Sequence, residues 1–204
     1  KKNRIKTPSY FVFQKKNFTK AKLNQSIQIK KIKFPIVVKP TNEGSSIGVR
    51  ICKNIQDLNK SSKSLFRKYL ELIFEPYIGG QEIQVAVING NPLGAIELEP
   101  KRKFYDYKAK YSKAAKTKHI MPANLKRYKY RQALKIAKKA NDALGCKGIT
   151  RSDFKFFNNK FYLLEINTQP GMTNLSLVPE IANYKGISFK NLVQKILFNA
   201  SLNR

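Results

Sequence analysis

Arg151 and Asp153 stand two apart in GITRSDFKFF, and Glu165 and Asn167 stand two apart in KFYLLEIN. Side chains alternate across a strand, so each pair projects from one face. The two stretches flank Asn158-Asn159, residues that tolerate the left-handed backbone of a tight hairpin turn. Folding the chain there brings Asp153 near Glu165 and Asn167. Two carboxylates and an amide on one face offer the oxygen ligands a hard divalent cation requires, Mg2+ above all. The same spacing equally suits a structural ion pair between Arg151 and one of the acids, and on geometry alone both readings stand.

Three further stretches carry polar chemistry. In FPIVVKPTNEGSSIG, Lys39 ends a β-branched run before a Gly/Ser turn, where an ammonium and backbone N–H groups can meet phosphates. It lacks the Gly-Lys-Ser/Thr of a P-loop, and a plain hairpin turn fits it as well. FYDYKAKY, residues 104–111, crowds aromatic and Lys side chains as a lid over a ligand or as a solvated loop. In EPYIGGQE, Glu75 and Glu82 can accept from a base amine or a ribose hydroxyl, or belong to a surface turn.

These residues need elements to hold them. Strands are expected at 8–13, at 34–40 ending on Lys39, near 47–52 and at 70–78, with a weak polar helix over 15–29. Asn54 caps a helix over 55–67. QEIQVAVING and NPLGAIELEP form a hairpin turning at Asn89-Gly90-Asn91. Residues 100–122 show neither period and read as a long loop. Leu134, Ile136, Ala137, Ala140 and Leu144 recur at helical spacing, giving a helix from Asn124 to Leu144 closed by Gly145. After the Pro-Gly turn, Ser188 starts an amphipathic helix over 187–200. Hairpins mixed with helices indicate an α+β chain of two lobes.

Composition sets the class. With 204 residues, 42% of them hydrophobic, the chain is globular rather than disordered. Forty-one basic residues face 12 acidic ones, a net charge of +29. That balance suggests nucleic-acid binding, but the Lys residues are spread along the whole length and no recognition motif accompanies them. Cys52, Cys146 and His119 lack metal-ligand spacing. No apolar run is long enough for a bilayer, and the start shows no signal-peptide pattern.

Taken in order, VVKPTNEGSSIGV, FEPYIGGQEIQVAVI, FYDYKAKY, GITRSDF and LLEINTQPGMTNLSLVPEIA resemble the ATP-grasp superfamily and, within it, the D-alanine–D-alanine ligases. The resemblance covers about 140 residues, five segments in family order. It implies an ATP-grasp fold whose two lobes, with antiparallel sheets, grip ATP between them. Residues 1–90 would form the central lobe and 91–204 the C-terminal catalytic lobe, with a lid at about 100–118. By position, Lys39 would hold nucleotide phosphates, and the loop of Ser45, Ser46 and Ile47 would close over them. Glu75, Tyr77 and Ile78 would line the adenine pocket, Phe104 and Leu164 would pack on the base, and Glu82 would bind the ribose. Lys110 would reach the terminal phosphate, and Tyr111 would help lock the loop. Asp153, Glu165 and Asn167 would bind two Mg2+ ions, with Mn2+ as a substitute. Arg151 and the Gly171 backbone would stabilise an oxyanion, and Ser176 and Leu177 would receive the second amino acid's carboxylate.

The implied reaction is ATP-dependent formation of D-alanyl-D-alanine for peptidoglycan through an acylphosphate, in the cytoplasm, by a homodimer when full length. No specific nucleic acid and no membrane is expected as partner. Ligation to D-lactate or D-serine, or by another ATP-grasp carboxylate–amine ligase, is the nearest alternative, and a basic nucleic-acid-binding protein the distant one. Family members begin with a further N-terminal domain that supplies part of the first D-alanine site. The sequence therefore reads as a fragment, expected to bind Mg-ATP weakly and make little dipeptide alone.

Overall fold

The computed structural model describes residues 3–44, 46–100, 117–173, 176–198 and 200. Ser45, Phe104, Lys110, Tyr111 and nearly all of the expected lid lie outside the described residues. By internal contact the chain forms two units. One comprises Pro8–Ile78 and Pro100–Thr117, the other Lys1–Thr7, Gly79–Glu99 and Lys118–Arg204.

In the smaller unit, β1 (Phe11–Gln14), β2 (Ile36–Pro40), β3 (Arg50–Cys52) and β4 (Glu71–Pro76) form an antiparallel sheet ordered β1-β4-β2-β3. A 3-10 turn (Lys15–Asn17) and α1 (Lys20–Ile29) follow β1, and α2 (Ile55–Leu65) follows β3. Strand alternation divides the sheet into two faces. Ile36, Val38, Leu72 and Phe74 join Leu23, Leu58, Leu65 and Phe66 in the core. Lys39 and Glu75 therefore project from the opposite face. Asn54 accepts the Asp57 amide at 2.8 Å, the cap that the sequence indicates for α2.

In the larger unit, β5 (Gln81–Ile88), β6 (Asn91–Glu99), β7 (Lys118–Ile120), β8 (Ile149–Phe157) and β9 (Lys160–Asn167) form an antiparallel sheet ordered β7-β6-β5-β8-β9. Both expected hairpins form. Asn89 and Gly90 turn the first and Asn158 and Asn159 the second, all with positive φ. Residue 90 thus lies at a hairpin tip within this unit. One face, with Ile83, Val85, Val87, Ala95, Phe154 and Phe161, packs on Ala133 and Ala137 of α3 (Arg127–Ala143). The other carries Glu82, Gln84 and Ala86 of β5 opposite Lys155, Asp153 and Arg151 of β8.

Three features depart from the sequence reading. The loop expected over 100–122 ends in β7, which pairs with β6 across Glu97–Ile120, Leu98–His119 and Glu99–Lys118. Three residues on a sheet edge are too few to show alternation. Helix α3 starts at Arg127 rather than Asn124, because the backbone at Lys126 is still non-helical (φ −54°, ψ 141°), while the Ala123 amide donates to Ala95 O at 2.8 Å. An unanticipated helix, α4 (Leu177–Tyr184), precedes α5 (Phe189–Phe198). The Ala95 amide donates to the Tyr130 hydroxyl at 3.0 Å, and burial pushes the Tyr130 phenol up from its ordinary pKa. Among the described residues no helix is long and apolar enough to cross a membrane.

Candidate functional site

The polar face of the larger sheet gathers Glu82, Arg151, Asp153, Glu165 and Asn167 of the residues singled out above. β8 and β9 pair with Asp153 opposite Glu165 and Arg151 opposite Asn167. Beyond Asp153 the register slips, so that Phe154 faces Leu163 and Leu164 is the extra residue of a bulge. Leu164 is half exposed there. Arg151 grips Asp153 with both arms of its guanidinium, Nε to Oδ1 at 2.7 Å and Nη2 to Oδ2 at 2.9 Å. Little solvent reaches either side chain, 14% and 7% exposed. Such a two-point, poorly solvated pair is stronger than an exposed one and fixes the angle of the carboxylate.

Of the two sequence readings of these residues, the ion pair is present, and its acid lies in register with Glu165, which shares its strand with Asn167. Asn167 accepts the Gln169 amide at 3.0 Å, which bends the chain toward Pro170. Among the described residues no group of three or more His, Cys, Asp or Glu could hold a metal. A cation here would rest on Asp153, Glu165 and the Asn167 amide. All three donors are oxygen, the chemistry of Mg2+ rather than of zinc. The set fits a hard divalent ion, provided that Arg151 shares the Asp153 oxygens with it.

One row along the same face, Glu82 sits directly opposite Lys155, and their charges meet at 3.0 Å with exposures of 13% and 14%. Lys155 was not singled out in the sequence, although it continues the alternation of Arg151 and Asp153. Gln84 lies opposite Asp153 in register, 1% exposed, and its Oε1 has no hydrogen-bond partner among the described residues.

Past β9, the chain turns into the start of α4. Gly171 passes so close to Ser176 that an added Cβ would sit 2.8 Å from its Oγ. That Oγ accepts the Thr173 amide at 3.0 Å instead of capping α4, so no side chain caps the helix start. The first-turn amides at and beyond buried Leu177 keep their affinity for an anion. His119 Nδ1 meets Glu180 Oε2 at 2.6 Å and ties β7 to α4. Nothing in the spacing of these two residues signalled that pairing.

The smaller unit holds the remaining candidates. Lys39 Nζ meets Glu75 Oε1 at 2.7 Å, diagonally across β2 and β4. The resemblance assigned these residues to different parts of a nucleotide, and in the structure they hold each other. On a half-buried face, an ammonium and a carboxylate lower each other's cost of lost hydration. Tyr77 is fixed by its amide to Pro35 O at 2.9 Å, and Ile78 is half-buried beyond it. Ser46 adopts a φ of 64°, and the Ile47 amide closes the turn onto Gly44 O at 2.9 Å. Ile47 itself is 42% exposed at that turn.

Known proteins resemble this chain in sequence and in fold. A family profile described as "D-ala D-ala ligase C-terminus" matches residues 1–198. The D-alanine–D-alanine ligase of Pelagibacter ubique (strain HTCC1062) is 58% identical over 204 residues, all of this chain and 66% of that relative. The D-alanine–D-alanine ligase of Bacillus anthracis complexed with ATP superposes with a TM-score of 0.79 at 29% identity, covering 96% of this chain and 61% of that one. VanG, the D-Ala:D-Ser ligase of Enterococcus faecalis, superposes with a TM-score of 0.83 at 27% identity, over 96% of this chain and 57% of the other. The chain spans between 54% and 66% of the length of the first two curated relatives it matches.

Proposed function

The chain belongs to the D-alanine–D-alanine ligase family, and from that membership we propose that the whole protein joins two D-alanines at the expense of ATP, supplying D-alanyl-D-alanine to peptidoglycan. The observation that carries this reading is the β8–β9 register, which sets Asp153 against Glu165 and Arg151 against Asn167 on one polar face. D-alanine is favoured over D-lactate or D-serine as second substrate by the name of the 58%-identical relative.

The chemistry proceeds in two displacements. The carboxylate of one D-alanine attacks the terminal phosphorus of ATP and ADP leaves, giving an acylphosphate. The amine of a second D-alanine then attacks that acyl carbon, and phosphate departs as the new amide forms. Negative charge gathers on oxygen in both steps, so fixed cationic groups lower both barriers. Asp153, Glu165 and Asn167 hold Mg2+, in two ions, with Mn2+ able to substitute. When bound, the metal neutralises phosphate charge and orients the transferring group.

The protein groups have separate tasks. Arg151 keeps Asp153 aimed, and its guanidinium, together with the Gly171 backbone, faces the oxyanion of the second step. Ser176 and the amides from Leu177 onward receive the second substrate's carboxylate at the uncapped start of α4. Lys39, Ser46 and Ile47, with Ser45, Lys110 and Tyr111 outside the described residues, take the phosphates. Glu75, Tyr77, Ile78, Leu164 and Phe104 surround the adenine, and Glu82 takes the ribose. The reaction runs in the cytoplasm in a homodimer of the whole protein.

Calorimetric titration of the chain with ADP in Mg2+ tests the site. The expected result is saturable, metal-dependent binding that Asp153→Asn and Glu165→Gln abolish without unfolding the chain. Unchanged binding in both variants would overturn the metal assignment. Dipeptide formation from ATP and D-alanine by the whole protein tests the reaction itself.

A further inference from the structure

A buried amide oxygen without a donor is uncommon in folded proteins and costs stability unless something supplies the missing hydrogen bond. Gln84 Oε1 is in that position among the described residues, on a side chain 1% exposed in the middle of β5. Its setting is specific. Gln84 lies directly opposite Asp153, and Asp153 lies directly opposite Glu165, so the three residues form one row across β5, β8 and β9. Cross-strand neighbours on one face have Cβ atoms about 5 Å apart. The charged groups nearby are already matched, Glu82 with Lys155 in the next row and Asp153 with Arg151.

The missing partner must be a donor. The phosphates of a nucleotide offer acceptors alone, so they cannot satisfy an amide oxygen. The ribose hydroxyls fall to Glu82, two residues along the same strand. A hydrated divalent cation differs, because Mg2+ keeps several of its waters and each turns its hydrogens outward. We propose that Gln84 is a member of the metal site that accepts a hydrogen bond from a water of the cation held by Asp153 and Glu165. This rests on the metal reading given above. It assigns Gln84 the role of fixing the hydration shell, and with it the orientation of the ion.

The inference predicts opposite signs for two measurements on one variant. Gln84→Met keeps the side chain's length and removes the unpartnered oxygen. The metal-free variant should melt at or above the native temperature, since a buried unsatisfied polar atom has gone. Its affinity for Mn2+ in the presence of ADP, read by the electron paramagnetic resonance of free Mn2+, should fall about tenfold, the usual scale for a hydrogen bond within a charged cluster. Gln84→Glu restores an acceptor and should stay within about threefold of native Mn2+ affinity, the range left by altered geometry.

A Gln84→Met chain that melts lower or fails to fold would show that the amide is satisfied within the protein, and would overturn the proposal. So would native Mn2+ affinity in Gln84→Met, or a loss in Gln84→Glu as large as in the Met variant. Absence of Mn2+-dependent ADP binding in the native chain would instead remove the underlying metal reading, and this inference with it.

Discussion

Removing Asp153 or Arg151 singly should harm the fold far more than removing both together. Each side chain is mostly shielded from water, at 7% and 14% exposure, and the two are joined by hydrogen bonds of 2.7 and 2.9 Å. Asp153→Leu leaves a guanidinium with its main partner gone, and Arg151→Met leaves a carboxylate in the same condition. Breaking one side of a buried pair costs about 3 kcal/mol, because the survivor keeps its desolvation penalty and loses its compensation. Replacing both by apolar residues of similar volume removes that penalty, so the double variant should lie within about 1 kcal/mol of native. The single costs therefore do not add, and their non-additivity measures the coupling.

Urea unfolding of the four proteins, followed by circular dichroism, reads the cycle. Nucleotide binding supplies the second axis. The double variant should fold and yet bind no ADP in the presence of Mg2+, since the apolar replacement supplies neither a metal ligand nor an oxyanion partner. Single variants within about 0.5 kcal/mol of native would show that the pair is loosely held in solution. A double variant that keeps metal-dependent binding would refute the assignment of these residues to the site.

Other perturbations follow from particular contacts. Gly80→Ala should destabilise strongly, because an added Cβ would lie 2.2 Å from Phe156 O at a φ of +80°, whereas Gly145→Ala, at +62° with nothing within 4 Å, should cost only about 1 kcal/mol; chemical denaturation of the two variants compares them. Tyr130→Phe deletes the acceptor of the buried Ala95 amide and should cost about 1–3 kcal/mol in the same assay. Since the Tyr130 phenol is held above its ordinary pKa by burial, the folded chain retains a proton that the unfolded chain loses near pH 10. Its contribution is present below that pH and falls as pH rises through the folded value, so native stability should decline there more steeply than that of Tyr130→Phe. Cys52 is 1% exposed with its thiol pushed up by burial, and should react with a disulfide reagent at pH 8 far more slowly than half-buried Cys146.

Legibility in the sequence tracked how local the determining physics is. The turns at Asn89-Gly90 and Asn158-Asn159 were readable because the residues themselves favour positive φ, and their strands carry a clear alternation. Asn54 announced α2 in the same way, through a side chain that caps its own helix. The turn position brought Asp153 into the neighbourhood of Glu165 and Asn167, but counted alone it pairs Asp153 with Leu164; the bulge at Leu164, which no residue type announces, is what sets Glu165 opposite Asp153. Helix α4 was not, since eight residues give barely two turns of period and Pro179 reads locally as a breaker, although it sits in the first turn where no amide is needed. Gln84 was equally silent. A glutamine on a strand becomes informative only when its neighbours bury it without offering a donor, a property of three strands together.

The order in which the chain visits its two units bears on how it is made. Residues 3–7 belong with β9, where the Leu163 amide donates to Lys6 O at 2.9 Å and the Lys6 ammonium lies 4.7 Å from the centre of the Tyr162 ring. The intervening stretch from Pro8 to Ile78 builds the smaller unit almost without interruption. On a ribosome adding about 5–20 residues per second, that unit can close while the larger one still lacks β8 and β9. Residues 3–7 are thus held in reserve for many seconds, and β5 waits with an open edge for a strand translated some sixty residues after it. Synthesis rate, rather than the stability of either unit, then sets how long that unpaired edge is exposed to other chains.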